Sequence, residues 1–115
     1  MFKYFTLEEF ACQETGENDI SEEFVHALDA LRHEVGFACV ITSGFRSNSH
    51  SLEVKKPSGG GQHTRGCAAD IAVSSGAQRY RLVAAALKLG FSGIGIAKTF
   101  IHVDTRTTTP VIWVY

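Results

Sequence analysis

His63, Asp70 and His102 are the residues of this chain whose types and placing could do metal chemistry. The stretch "SGGGQHTRGCAADIAV", Ser58 to Val73, runs from a glycine triplet into a histidine, and seven residues later an aspartate opens an apolar segment. His102 lies inside "TFIHVDTR". Two imidazoles and one carboxylate are a common open set for catalytic zinc, leaving a fourth position for a water whose pKa the metal lowers to about 7. The set suits hydrolysis. Taken singly, each residue also has an ordinary reading: His63 as a solvated loop histidine, His102 as a satisfied core one, Asp70 as a cap at a strand edge.

Alternation in the last of these segments is an independent signal. Residues two apart on a strand face the same side, so His102, Asp104 and Arg106 project together while Ile101, Val103 and Thr105 face the other way. One face thus carries an imidazole, a carboxylate and a guanidinium. The alternative is an ordinary edge strand with a solvated Asp-Arg pair.

The elements that must position these groups can be read from caps and periodicity. Thr6 and Glu9 in "TLEEF" form a capping-box pattern for a short helix. "ISEEFVHALDALRHEVG" predicts a helix over Ser21 to His33, with a Ser cap, acids in the first turn, apolar Phe24, Val25, Leu28 and Leu31 at helical spacing, and Gly36 as the stop. "FACVITSGF" predicts a buried strand running into a polar, Gly/Ser-rich surface loop from Arg46 to Gly61. After it come a short strand at "DIAV", a helix over "GAQRYRLVAAALKLG" with Tyr80, Val83, Ala84 and Leu87 on its apolar face, and two strands in "GIGIAKTFIHVDTR" turning near Ala97-Lys98. The aromatic tail "VIWVY" is expected as a buried last strand, with an exposed oligomer contact as the alternative. This order predicts an α+β fold, a small and mostly antiparallel sheet packed against helices, with the metal site at the sheet face.

Composition limits the function classes. A chain of 115 residues, 44% of them hydrophobic, is expected to form one domain over 1–115 with its own core. A net charge of -1, from 11 basic and 12 acidic residues spread along the chain, offers no basic face for nucleic acid. No apolar run approaches the roughly 18 residues of a membrane span, and "MFKYFTLEEF" lacks the pattern of a secretion signal, so synthesis in the cytoplasm is expected. Cys12, Cys39 and Cys67 have no C-x-x-C spacing and are expected as small buried thiols.

With these residues in view, the chain resembles a known family. "GQHTRGCAADI" matches the pattern H-x-x-G-x-A-x-D-I of the zinc murein peptidases, which include D-alanyl-D-alanine carboxypeptidases, L-alanyl-D-glutamate endolysins and vancomycin-resistance dipeptidases. "ITSGFRS" matches the family's S-G-[YF]-R-S element and "FIHVDTR" its closing H-V-D segment, in the same order, while "YFTLEEFACQ" and the following helix resemble the start of the short phage-type branch. The resemblance implies a Hedgehog-like metallopeptidase fold, Zn2+ held by His63, Asp70 and His102, and Arg46 holding a substrate carboxylate or polarising the scissile carbonyl, with Ser43 and His50 also on the substrate side. Gly66 would allow the turn and a close approach of backbone to metal, Ala68 and Ala69 packing beneath it, and Gly59 to Gly61 a hinge over the peptide.

Two positions depart from the family pattern. Gly61 stands where the family commonly has a serine, so a supporting hydrogen bond would come from Ser58 or Gln62 or be absent. Thr99 and Phe100 stand where relatives place an acid or a histidine as general base. Asp104 is the expected substitute, either as the catalytic base or as an acceptor orienting an imidazole, and His50 is a second candidate base or a surface histidine. The expected activity is zinc-assisted hydrolysis of peptidoglycan stem peptides, by an L-Ala-D-Glu endopeptidase or a D-Ala-D-Ala carboxypeptidase. The enzyme would be a monomer that reaches the bacterial cell wall after a holin-like partner opens the membrane or by delivery with a phage particle. A catalytically silent zinc-binding module of the same fold, and a metal-free structural domain, are the other readings.

Overall fold

A computed structural model describes residues 2–50, 52–53 and 61–115 of the chain. The fold is α+β, as the order of the sequence patterns implies: two α-helices and a five-stranded, mostly antiparallel sheet. Helix α1 spans Glu22–Val35; the Ser21 hydroxyl accepts from the Phe24 N–H at 3.3 Å, and Gly36 ends the helix in the left-handed conformation at φ 79°. Helix α2 spans Gly76–Lys88 behind a Ser75 cap. The strands are β1 Ile41–Ser43, β2 Ala68–Ala72, β3 Gly93–Ile96, β4 Phe100–Asp104 and β5 Val111–Val114, in the spatial order β1-β2-β4-β3-β5. Among the described residues only the β3–β5 pair is parallel. Short 3-10 helices occupy Leu7–Phe10, where the Glu9 carboxylate accepts from the Thr6 N–H at 2.6 Å, and Gln62–Arg65.

Strict alternation divides the sheet into two faces. Ala69 and Ile71 of β2, Ile94 of β3, and Ile101 and Val103 of β4 join the apolar core with Phe24, Leu28 and Leu31 of α1 and Leu82, Ala85 and Ala86 of α2. Their neighbours Asp70, Gly93, Gly95, His102 and Asp104 therefore belong to the opposite face. The register fixes the chemistry: Asp70 lies directly across from His102, and His102 directly across from Gly95.

Several elements differ from the sequence reading. Strand β2 begins at Ala68, two residues before the expected start, because Ala68 and Ala69 pair with Asp104 and Val103; Asp70 sits mid-strand as a result. The buried face of α2 is Leu82, Ala85 and Ala86, while the expected Tyr80 and Leu87 are exposed. The helix lies against α1 and β4, and its small alanines permit the close packing. The tail does form a strand, but an edge one whose side chains are largely exposed, Trp113 excepted. Of the glycine hinge, Gly59 and Gly60 lie outside the described residues.

Candidate metal centre

Each residue of the centre is delivered by a different element. His63 comes from the 3-10 turn that closes the loop, Asp70 from β2 and His102 from β4, and all three are buried. One ligand atom from each lies within 4.8 Å of the others. His63 Nε2 stands 3.3 Å from Asp70 Oδ1, and His102 Nδ1 stands 3.1 Å from the same oxygen. Tetrahedral zinc with bonds of about 2.0–2.1 Å separates its ligand atoms by about 3.3 Å, close to both values.

The second nitrogen of each ring decides what the first can do. His63 Nδ1 faces the Gly44 carbonyl at 2.7 Å, so it carries the ring proton and donates it. His102 Nε2 faces Asp104 Oδ2 at 2.7 Å and is likewise the donor there. In its neutral form each ring has one N–H and so turns a nitrogen lone pair toward the Asp70 carboxylate, whereas in the protonated form that nitrogen donates to it instead. Three electron-pair donors converging in this way repel unless a cation, proton or metal, lies between them. The donor set fits zinc, with both ring tautomers fixed by outer acceptors in the usual manner of metal-binding histidines.

Electrostatics follow from the same contacts. Burial would push the Asp70 carboxyl up, but hydrogen bonds from His102 and His63 outweigh it and hold the group well below the usual carboxylate range. Burial works against the His102 imidazolium, yet Asp104 and Asp70 raise its pKa. Asp104 is fully buried, and burial is again outweighed, here by Arg106 and His102, leaving it far below the ordinary value.

Of the two roles expected of Asp104, catalytic base or acceptor orienting an imidazole, that placement fits the acceptor. One oxygen accepts from His102 and from Arg106 Nη2 at 2.7 Å, the other from the Arg106 N–H and Nε at 3.1 and 2.9 Å. Asp104 is not part of the cleft lining. It orients the His102 ring. His50 is likewise directed away: its Nε2 faces Glu14 at 3.3 Å, its Nδ1 accepts from the Leu52 N–H, and it does not line the cleft. Ser43 touches the site through Arg46, accepting from its Nε at 3.1 Å. Gln62 accepts from the Cys67 thiol, Gly61 donates its N–H to Glu53, and Ser58 lies outside the described residues.

Above the three ligands is an open cleft of about 620 Å³, the size of a small-ligand site. Arg46, Arg65 and Arg106 line it together with Phe100, Trp113 and Tyr115, and Leu52, Gly61 and Gln62 complete the wall. Sequence reasoning missed Glu53, a fully buried loop carboxylate that pairs with Arg46 at 3.0 Å and accepts from Gly61 at 2.7 Å. It also missed Trp113, whose ring centroid is 5.0 Å from that of His102. The available signal was "GIGI": glycines at alternate positions of β3 clear the sheet face, since a Cβ at Gly93 would strike the Asp104 carboxylate and one at Gly95 the Trp113 indole. Gly66 makes the expected turn with a left-handed φ of 73°, and a Cβ there would strike the Asp19 carbonyl before α1.

Asp70 and His102 on the sheet face and His63 on the adjoining turn, at the floor of a cleft, form a donor set of the kind that metal-dependent hydrolases use. The family described as peptidase M15 matches residues 3–104, and the chain belongs to that family of zinc peptidases. No curated protein matches the chain.

Proposed function

We propose that the chain is a zinc-dependent peptidase that hydrolyses a peptide bond of peptidoglycan stem peptides, either L-Ala-D-Glu or D-Ala-D-Ala. The observation that carries this reading is the convergence of three electron-pair donors, each orienting partner in place, on the floor of a cleft in a member of a peptidase family. Zinc held by His63, Asp70 and His102 would supply Lewis acidity, making water nucleophilic near neutral pH. The protein's own contribution is positioning. Gly44 and Asp104 fix the two rings, Arg46 braces Asp70 at 3.5 Å while tied to Ser43 and Glu53, and the aromatic side chains of Phe100, Trp113 and Tyr115 give the peptide an apolar wall. Access to the wall with a phage particle, or after a holin-like partner opens the membrane, belongs to the same proposal and is supported by the resemblance of "YFTLEEFACQ" to the short phage-type branch.

A second reading, a catalytically silent zinc-binding module, is favoured by one observation: among the described residues lining the cleft, Asp70 has the sole acidic side chain. Digestion of purified peptidoglycan by the zinc-loaded protein, with His63→Ala as control and mass spectrometry of the fragments, separates the two. Cleavage lost in the variant establishes the peptidase and the new termini name the bond; no cleavage with one zinc bound per chain leaves the silent module.

A further inference from the structure

Three guanidinium groups line the cleft, and their donors are not equally committed. Arg46 has a partner at every nitrogen: Nε to Ser43 at 3.1 Å, Nη1 to Glu53 at 3.0 Å, and Nη2 to Asp70 at 3.5 Å. Releasing Arg46 to a substrate would break all three of these contacts, one of them to the buried Glu53 carboxylate. Arg106 is held by the Asp104 carboxylate through Nε and Nη2 and lies over the Trp113 ring at 5.1 Å. Arg65 differs from both. It is exposed on the turn that also carries His63, it lines the cleft, and among the described residues no hydrogen bond or ion pair engages its side chain.

A guanidinium offers five donors in a planar fork that matches a carboxylate. We propose that Arg65, rather than Arg46, binds the free carboxylate of the substrate and so selects peptides that carry an acid rather than an amide beside the scissile bond. The inference rests on the peptidase reading for the identity of the ligand and narrows the substrate class to unamidated stem peptides. Arg46 then keeps Asp70 and the loop in place.

The test uses one pair of synthetic stem peptides that differ only in a carboxylate or a carboxamide at the D-Glu α-position, and a second pair that differs in the same way at the C-terminal D-Ala. Binding, followed by Trp113 fluorescence, and hydrolysis are both measured for the zinc-loaded wild type, Arg65→Ala and Arg65→Lys, with melting curves to confirm that the variants are folded. For one pair, the wild type is expected to prefer the acid by about tenfold or more, the scale of a charge-assisted hydrogen bond. Arg65→Ala should bring that ratio close to one by weakening the acid alone, raising KM with kcat largely kept, and Arg65→Lys should restore part of it. An acid preference unchanged in Arg65→Ala, or no preference in the wild type for either pair, overturns the inference while hydrolysis itself still stands. Acid-selective binding that Arg65→Ala abolishes, without hydrolysis of any peptide, upholds the subsite and removes the peptidase reading instead.

Discussion

Gly95 and Trp113 lie side by side across the parallel β3–β5 pair, and the Cβ that Gly95 lacks would fall 2.7 Å from the indole. The indole crosses the bare backbone to reach His102 on the far side of β3. A site on β4 is thus buttressed by a residue two strands away, with glycine as the gap between them. Gly95→Ala should displace a rigid ring that Arg106 and His102 already flank, at a cost of about 1–3 kcal/mol typical of overpacking. The expected outcome is a lower melting temperature together with weaker zinc binding in a titration. An unchanged value for both would show that the indole is not held where the structure puts it.

Zinc should stabilise the fold, since converging lone pairs are a local repulsion that the metal removes. At a free zinc concentration of about 100 times Kd, linkage gives roughly 2.7 kcal/mol, readable as a rise in melting temperature. A chelator should reverse the rise and abolish hydrolysis. His63→Ala, Asp70→Ala and His102→Ala should each lose stoichiometric zinc and the thermal gain. A full gain surviving in these variants would place the metal elsewhere.

Asp104→Asn separates orientation from proton transfer. An outer partner of a ligating histidine contributes about 10- to 100-fold in metal affinity, so the variant should bind zinc more weakly by that factor. At saturating zinc, turnover per bound metal should stay near that of the wild type, because Asp104 is buried and does not line the cleft. A large loss of turnover per bound zinc would return Asp104 to the role of base.

The helices and the His-Asp-His grouping were legible in the sequence because their signals are local. The Ser21 cap, the 3.6-residue spacing from Phe24 to Leu31 and the Gly36 stop specify α1 within one short segment, and alternation in "FIHVDTR" puts His102 and Asp104 on one face. Alternation does not name partners. That Asp104 is spent on His102 and Arg106, or that Glu53 lies buried against Arg46, depends on contacts made after the chain folds back. The face of α2 was misread for a related reason: its alanines suit either side, and the tight seat against α1 and β4 selects Ala85 and Ala86 over Tyr80 and Leu87. The exposure of β5 was also hidden, since a parallel edge pairing with β3 leaves an apolar strand half uncovered without changing its composition.

Cys39 supplies a pH dependence away from the site. Burial pushes its thiol up from the ordinary 9.0 to about 11, with Arg32 opposing in part. A raised folded pKa means the protonated thiol is favoured in the fold. Its contribution to stability is therefore complete below pH 9.0 and is lost as pH rises toward about 11. Alkylation of Cys39 should be slow at pH 8 and accelerate through that alkaline window, and Cys39→Ala should flatten the fall in stability there. Rapid alkylation at pH 8 in the folded protein would contradict the burial.

Trp113 offers the most direct view of the site, because it is the sole tryptophan of the chain. Its ring centroid lies 5.0 Å from that of His102, and Arg106 lies over the same ring at 5.1 Å, so any ion held by His102 sits beside the indole. Cobalt(II), which takes the same nitrogen and oxygen ligands as zinc and quenches fluorescence at short range, should lower the emission with a break at one equivalent. Zinc added first should block the quenching. In His63→Ala the break should vanish, although Trp113 and its surroundings are unaltered. Quenching that runs on without a break, equal in the wild type and in this variant, would mean that the three ligands do not hold an ion together.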